Sequence, residues 1–168
     1  MESKGSTAAV VSREVVEVTD VRSEALERLN VFVGSWAIET RFPGEQAQPT
    51  PFGSRFEWTL DQQFLLQRTE IPVPEAPDSL TIVSVGPDGA YTQDYYDSRG
   101  VVRLYAMRLA ERTWTLTRES PDFSPLDFRQ RFTGTFSDDG NVIDGAWETG
   151  VGEAGWALDF LLTYRRIG

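Results

Sequence analysis

The stretch that decides the fold is Arg28–Trp36, RLNVFVGSW, in which an apolar cluster is followed by Gly-x-Trp. The segment before it predicts one short helix, with Ser23 as N-cap and apolar Ala25 and Leu29 on one side. From Ser35 onward the pattern changes, because apolar residues recur at every second position, as in strands. We interpret the apolar cluster as a plug at one end of a β-barrel whose first strand begins at the Trp.

The rest of the chain indicates strands joined by short turns. About ten segments between Ser35 and Arg166 alternate apolar and polar residues. Gly-containing turns follow at Gly86–Ala90, Asp97–Gly100 and Ser137–Asn141. This pattern predicts an all-β fold, a single antiparallel up-and-down β-barrel of about ten strands with a short N-terminal helix plugging one end. A sandwich with the same strand count is the competing fold.

The chain of 168 residues predicts one folded domain. We expect a flexible N-terminal tail over residues 1–22 and the barrel domain over residues 23–168. Two proline-rich segments, Pro43–Pro51 and Pro72–Asp78, cannot extend a hydrogen-bonded ladder. We expect both to form loops over an open end of the barrel.

The composition excludes several kinds of chemistry. The chain has no Cys and no His, which removes disulfides, Ser-His and Cys-His catalysis, His-ligated haem and the commonest zinc ligands. Since no calcium-loop motif is present either, we predict no metal site and no cofactor. The formal charge of −10 repels phosphate backbones and anionic membranes, so we expect no nucleic-acid or membrane partner. The first twenty residues lack a signal-peptide core, and we expect a cytoplasmic monomer or homodimer.

The helix followed by Gly34-Ser35-Trp36 resembles the Gly-x-Trp signature of the lipocalins and wider calycins. In those proteins the Trp closes one barrel end, and an Arg near the end of the last strand lies across its ring. LTYRR at Leu162–Arg166 supplies candidate arginines, and cation–π stacking gives a physical reason for the pair. From about Leu26 to Arg166 the chain resembles a bacterial lipocalin-like family of unknown function, on the segments VGSW, YYDSRGVVRLY, WTLTRESPDFSPLDFRQRF and GAWE…GWALDFLLTYRR.

Two other barrel families are similar in shape. Nitrobindins bind haem through a His, and this chain has no His, so that property does not carry over. Fatty-acid-binding proteins hold a carboxylate with interior Arg and Tyr. This second resemblance implies a binder of a small hydrophobic acid.

Three polar side chains lie among large apolar neighbours on strands: Arg103, Arg118 and Gln130. A buried arginine needs a carboxylate, either from the protein or from a ligand. One interpretation pairs them internally with Asp97, Glu148 or Asp159, and the other makes them an anion-recognition cluster. The aromatic residues either fill the barrel or line a pocket. The candidate ligand-binding residues are Arg103, Tyr105, Arg118, Gln130, Trp58, Tyr95, Trp114, Phe128 and Trp147.

We therefore predict the binding of a small hydrophobic, anionic molecule inside the barrel. Surplus positive charge in the interior would favour this hypothesis. The alternative is a lipocalin-like enzyme (a cyclase, isomerase or hydratase) that uses a buried carboxylate or Tyr as acid or base on a hydrophobic substrate. A third hypothesis is a structural or protein-binding domain. No catalytic residue is assigned, but candidate groups are Asp94 with Asp97, Glu148 with Asp159, and Tyr105 as a phenol activated by Arg103.

Overall fold

The computed structural model describes residues 21–168, apart from the side chains of residues 48–52. Within that range ten antiparallel strands form one closed barrel, in which each strand pairs with its neighbours in sequence and the last pairs with the first. This confirms the predicted all-β barrel, and the closing pairing of the first and last strands rules out the sandwich. The strands are β1 (Gly34–Arg41), β2 (Gln48–Thr59), β3 (Phe64–Glu70), β4 (Ser79–Val85), β5 (Tyr91–Asp97), β6 (Val102–Ala110), β7 (Thr113–Arg118), β8 (Arg129–Phe136), β9 (Val142–Gly150) and β10 (Ala157–Ile167).

The meander gives the barrel two different ends. The tight turns between β2 and β3, β4 and β5, β6 and β7, and β8 and β9 lie at one end, which we call the closed end. The other end, which we call the open end, carries the connections 42–47, 71–78, 98–101, 119–128 and 151–156, and all of these except 98–101 are longer than the turns of the closed end. Both proline-rich segments contribute to the open end, as predicted. The first loop is shorter than expected, because residues 48–51 belong to β2.

A helix, α1 (residues 21–28), runs into a 3-10 turn at Leu29–Val31 and covers the closed end. Arg22 donates from Nε to the Val85 carbonyl and from Nη1 to Gln63, and the Tyr91 hydroxyl donates to the Ala25 carbonyl at 2.7 Å. The prediction of Ser23 as N-cap is wrong, because residues 21 and 22 are already helical. The rest of the expected tail, residues 1–20, lies outside the described residues.

The Gly-x-Trp stretch closes the barrel as the sequence predicts. Trp36 is fully buried and donates from its indole nitrogen to the Phe32 carbonyl at 2.7 Å. The Arg166 guanidinium lies 4.2 Å from the centre of the Trp36 ring, and it donates to the carbonyls of Val33 at 2.6 Å and Val31 at 2.7 Å. Gly34 has a φ of 129°, and a Cβ there would stand 3.0 Å from Arg166 Nη1. The plug, the first strand and the last strand are therefore joined by one arginine.

Aromatic side chains fill the closed half of the barrel. Phe32 of the plug packs edge-on against Trp114 and Phe136, with ring centres 4.9 and 5.2 Å apart, and stacks on Phe56 at 5.3 Å. Trp114 in turn packs against Phe132 at 4.8 Å. All five side chains are buried. Burial of this much aromatic surface supplies much of the stability of the fold and leaves the closed half occupied by protein.

Candidate functional site

The inward face of the open half carries most of the predicted site residues. On β6 and β7 the buried side chains alternate with exposed or half-buried ones, and Tyr105 and Arg118 lie on the inward face. The register pairs Tyr95 with Arg103 across β5 and β6, and Arg118 with Gln130 across β7 and β8. These five side chains thus lie next to one another around one side of the barrel, near the open end.

Arg118 is held by the protein itself. Its Nε and Nη2 donate to the two carboxylate oxygens of Asp122 at 2.6 and 2.9 Å, and both side chains are only 2% exposed. Weaker bonds run from Arg118 to the carbonyls of Pro125, Ser124 and Phe128, at 3.3 to 3.5 Å. The hydrogen bonds from Arg118 hold the pKa of Asp122 well below its usual range. The guanidinium therefore fixes the β7–β8 loop across the open end.

Arg103 has unused hydrogen-bonding capacity. The side chain is half-buried, and Nη1 donates to the Ser124 hydroxyl at 2.6 Å and to the Val102 carbonyl at 3.1 Å. Within the described part of the chain, Nε and Nη2 have no hydrogen-bond partner, and no carboxylate lies within ion-pair distance. Asp122 is already matched by Arg118, so it does not neutralise Arg103.

Tyr105 and Gln130 lie beside Arg103 on the inward face. The Tyr105 hydroxyl donates to Gln130 Oε1 at 3.1 Å, which leaves the Gln130 amide nitrogen without a described partner. The ring of Trp147 packs edge-on against Tyr105, with centres 5.6 Å apart. Burial raises the pKa of the Tyr105 phenol despite the opposing charge of Arg103. The direction of this shift gives no support to a phenol activated by the cation.

Tyr95 completes the open-end cluster on β5. Its hydroxyl donates to Asp97 at 3.0 Å, and Asp97 is also paired with Arg99 at 2.6 Å. Burial, with the hydrogen bond to Asp97, raises the pKa of Tyr95 to about 12. Asp97 therefore neutralises Arg99 and not Arg103.

Three other predicted site residues occupy different positions. Trp58 lies at the closed end, where its indole donates to Asn30 Oδ1 at 2.8 Å. Trp114 is part of the aromatic filling of the closed half. Phe128 is half-buried and lies in the β7–β8 loop, just before β8. The open-end cluster, defined as Tyr95, Arg103, Tyr105, Gln130 and Trp147, thus brings together five of the nine predicted residues, with Arg118 anchoring the loop beside it.

The carboxylates predicted from the sequence as partners of the inward polar side chains are wrong. Arg118 pairs with Asp122, and Glu148 pairs with Arg131 at 2.8 Å on the outer wall. Asp159 is exposed on β10. The sequence analysis also missed Ser124, which receives the Arg103 hydrogen bond.

The candidate acid–base pairs do not form inside the barrel. Asp94 is on the outer face of β5, between Ile82 and Leu104 in the register, and burial there raises its pKa. Asp97 is already bonded by Arg99 and Tyr95. Nor does the described part of the chain contain a group of three or more Asp, Glu, His or Cys side chains that could hold a metal ion.

Two clefts lie on the outer wall of the barrel. One, of about 420 Å³, is lined by residues that include Glu39 and Asp144, and the other, of about 330 Å³, by residues that include Glu70 and Asp78. Each cleft combines carboxylates with one arginine, Arg41 in the first and Arg68 in the second. No helix in the described part of the chain is long and apolar enough to span a membrane.

The comparisons with known proteins support the fold. No protein-family model matches the sequence, and a search of curated proteins finds no match. Among solved structures, the chain is similar to Rv2717c from M. tuberculosis, with a TM-score of 0.57 and 12% sequence identity over 86% of this chain and 98% of that chain. At that identity the likeness shows the fold alone. Together with the closed ten-strand barrel, it fits a calycin-like fold, which is compatible with ligand binding.

Proposed function

We propose that the protein binds a small hydrophobic molecule with an anionic end, seated at the open end of the barrel. The observation that carries the proposal is the half-buried Arg103, whose Nε and Nη2 have no described acceptor. The nearby carboxylates of Asp97 and Asp122 are paired with other arginines. A guanidinium in such a place binds a carboxylate through charge-assisted hydrogen bonds.

The cluster around Arg103 suits the rest of such a ligand. The Gln130 amide nitrogen adds a second free donor, and the rings of Tyr95, Tyr105 and Trp147 supply apolar surface. Because aromatic side chains fill the closed half, the ligand occupies the open half only. We therefore infer a ligand of modest length whose tail lies against the rings near the opening.

No observation on the described residues favours the enzyme alternative. An acid–base mechanism needs a carboxylate or phenol that faces the ligand and titrates near neutrality. The phenols of Tyr95 and Tyr105 are hydrogen-bonded and their pKa values are raised by burial. Binding without turnover is therefore the function that the site supports best.

The first test is native mass spectrometry of the purified protein, followed by a thermal-shift screen of hydrophobic acids at physiological salt. Salt matters because the formal charge of −10 repels anions, and physiological salt screens this repulsion beyond about 8 Å. We expect a medium-chain acid at about one hundred times its Kd to raise Tm by about 5 to 10 °C, and the matching alcohol to have little effect.

The matched variants are Arg103→Met and Arg108→Met. Both arginines belong to β6, but Arg108 is exposed on the outer face. We expect the first variant to weaken acid binding at least about ten-fold and the second to leave it unchanged. Equal effects of the two substitutions, or no stabilisation of the native protein by any acid, would contradict the proposal.

A further inference from the structure

Gln93 carries the one buried side-chain acceptor that has no hydrogen-bond partner in the described part of the chain; the other two unpaired buried atoms, Trp114 Nε1 and Arg129 Nε, are donors. Five polar side chains are buried: Ser54, Gln67, Thr81, Gln93 and Arg118. Arg118 is bonded to Asp122, and Gln67 links Ser54 at 2.9 Å with Thr81 at 3.1 Å. Gln93 is 4% exposed, and its Oε1 has no hydrogen-bond partner among the described residues. Most buried side-chain oxygens in proteins accept a hydrogen bond. The described residues supply no donor for Gln93 Oε1, so its hydrogen-bonding capacity is unused.

The surroundings of Gln93 offer no internal donor. In the register it stands opposite Val83 on β4 and opposite Tyr105 on β6. Val83 is apolar, and the Tyr105 hydroxyl already donates to Gln130. Since neither register neighbour supplies the missing donor, a molecule that enters the barrel can supply it.

Gln93 and Arg103 are close enough to hold one small polar group between them. Tyr95 is paired with Arg103 and Gln93 with Tyr105, so Gln93 and Arg103 are diagonal neighbours on the inward face of β5 and β6. Diagonal neighbours on adjacent strands have Cα atoms about 7 to 8 Å apart, which two long side chains can bridge through a shared ligand. Arg103 presents N–H donors to an anion, whereas Gln93 presents an oxygen that needs a donor.

We propose that the ligand is a hydrophobic acid with a hydroxyl or amide N–H close to its carboxylate, and that Gln93 recognises this donor while Arg103 binds the carboxylate. The inference rests on the proposed function, because it assumes that Arg103 binds an acid. It narrows the ligand class from simple acids to hydroxy acids or N-acyl amino acids. A plain fatty acid has an ionised head without any donor and leaves Gln93 Oε1 unpaired.

The test compares three matched acids on the full-length protein by calorimetry at pH 7: decanoate, 2-hydroxydecanoate and 2-methoxydecanoate. The methoxy acid keeps the oxygen of the hydroxy acid and lacks the donor. We expect the hydroxy acid to bind about ten-fold more tightly than decanoate, since it satisfies a buried acceptor, and the methoxy acid to bind no better than decanoate.

Gln93→Met is the decisive variant, because Met has nearly the same length and shape but no amide. We expect it to bind decanoate as the native protein does and to lose the preference for the hydroxy acid. Gln93→Leu is the second variant should the first not fold, and the thermal midpoint without acid reports the fold of each. Arg103→Met should weaken binding of all three acids.

These outcomes separate the two proposals. Equal affinity for decanoate and the hydroxy acid, or a preference that survives Gln93→Met, would overturn the role of Gln93 and leave acid binding intact. Equal affinity for the methoxy acid and the hydroxy acid, both above that for decanoate, would also overturn the role of Gln93, because the hydroxyl donor would then be irrelevant. Failure of the native protein to bind any of the three acids would overturn both proposals.

Discussion

Asp122→Asn tests whether the Arg118–Asp122 pair is the anchor of the open end. The substitution keeps the shape of the side chain and removes its charge, which leaves a guanidinium that is 2% exposed without its counter-ion. It also weakens the acceptor of two backbone N–H groups, those of Leu104 and Ser124, each at 3.1 Å. Loss of one partner from a buried ion pair costs about 3 to 5 kcal/mol. For a chain of this size we expect Tm to fall by about 6 to 20 °C.

The assay is chemical unfolding at pH 7, with Asp138→Asn as control. Asp138 pairs with Arg112 at the surface, where its side chain is 95% exposed, so its loss should change the unfolding free energy by less than about 1 kcal/mol. Replacing both Arg118 and Asp122 by leucine should restore part of the stability, because no buried charge then remains unpaired. A loss below about 1 kcal/mol in Asp122→Asn, similar to the surface control, would refute the reasoning.

The same pair predicts a pH dependence. The pKa of Asp122 is lowered in the folded state, chiefly by the hydrogen bonds from Arg118. Its contribution to stability is therefore fully present above the unfolded value near 4 and is lost as the pH falls through the folded value. The difference in unfolding free energy between the native protein and Asp122→Asn should accordingly shrink below about pH 4. A constant difference down to pH 2 would contradict this origin of the stability.

Three further predictions concern the wall and the closed end. Arg166→Met should lower the unfolding free energy by about 2 to 4 kcal/mol, because the contact with the Trp36 ring and the hydrogen bonds to the carbonyls are lost. The control Arg165→Met, at an exposed neighbouring position, should change the unfolding free energy by less than about 0.5 kcal/mol. Equal effects of the two substitutions would contradict the role of Arg166 in joining the plug to the strands. Gly145→Ala places a Cβ 2.5 Å from the Phe132 ring, so we expect a loss of about 1 to 3 kcal/mol, partly recovered with Phe132→Leu in a double-mutant cycle. Asp94→Asn should raise the unfolding free energy slightly at pH 7 and flatten the pH dependence of stability. The reason is that burial raises the pKa of Asp94 and makes the ionised carboxylate less favourable in the folded state. A drop in Tm at pH 7 would show instead that the carboxylate has a partner.

Alternation along the chain was sufficient to predict the barrel and its ends. The segment from Val101 to Ala110 was predicted as a strand, and β6 covers residues 102–110. The prediction failed where a long-range contact overrides the local pattern. The segment from Pro125 to Phe136 alternates throughout, yet β8 begins only at Arg129. The preceding residues are drawn into a loop by Arg118, which binds the carbonyls of Ser124, Pro125 and Phe128.

The candidate site was predictable in its residue types and less so in its partners. Strand parity groups Arg103 with Tyr105 and Arg118 with Trp114, and the structure shows that both of these faces point inward. Parity could not separate their roles, because that depends on which carboxylate the loops bring close. Asp122 follows Arg118 by four residues across a turn, and the sequence analysis sought partners only on strands. Gln93 shares the inward face of Tyr95, but its lack of a partner is visible only when all its neighbours are known.

Polar groups without a partner are few in the described part of the barrel, and the proposed function rests on two of them. At the closed end, Arg166 bonds to three carbonyls and the Trp36 indole has its acceptor. On the inward face of β5 and β6, Arg103 keeps two free donor nitrogens and Gln93 an unpaired oxygen, and in the closed half the Trp114 indole nitrogen is unpaired as well. Selection for stability alone would have paired these groups or replaced them with apolar ones, since unpaired polar groups in the interior destabilise a fold. Local departures from complete pairing are typical of functional sites, and here those of Arg103 and Gln93 lie on the same inward face.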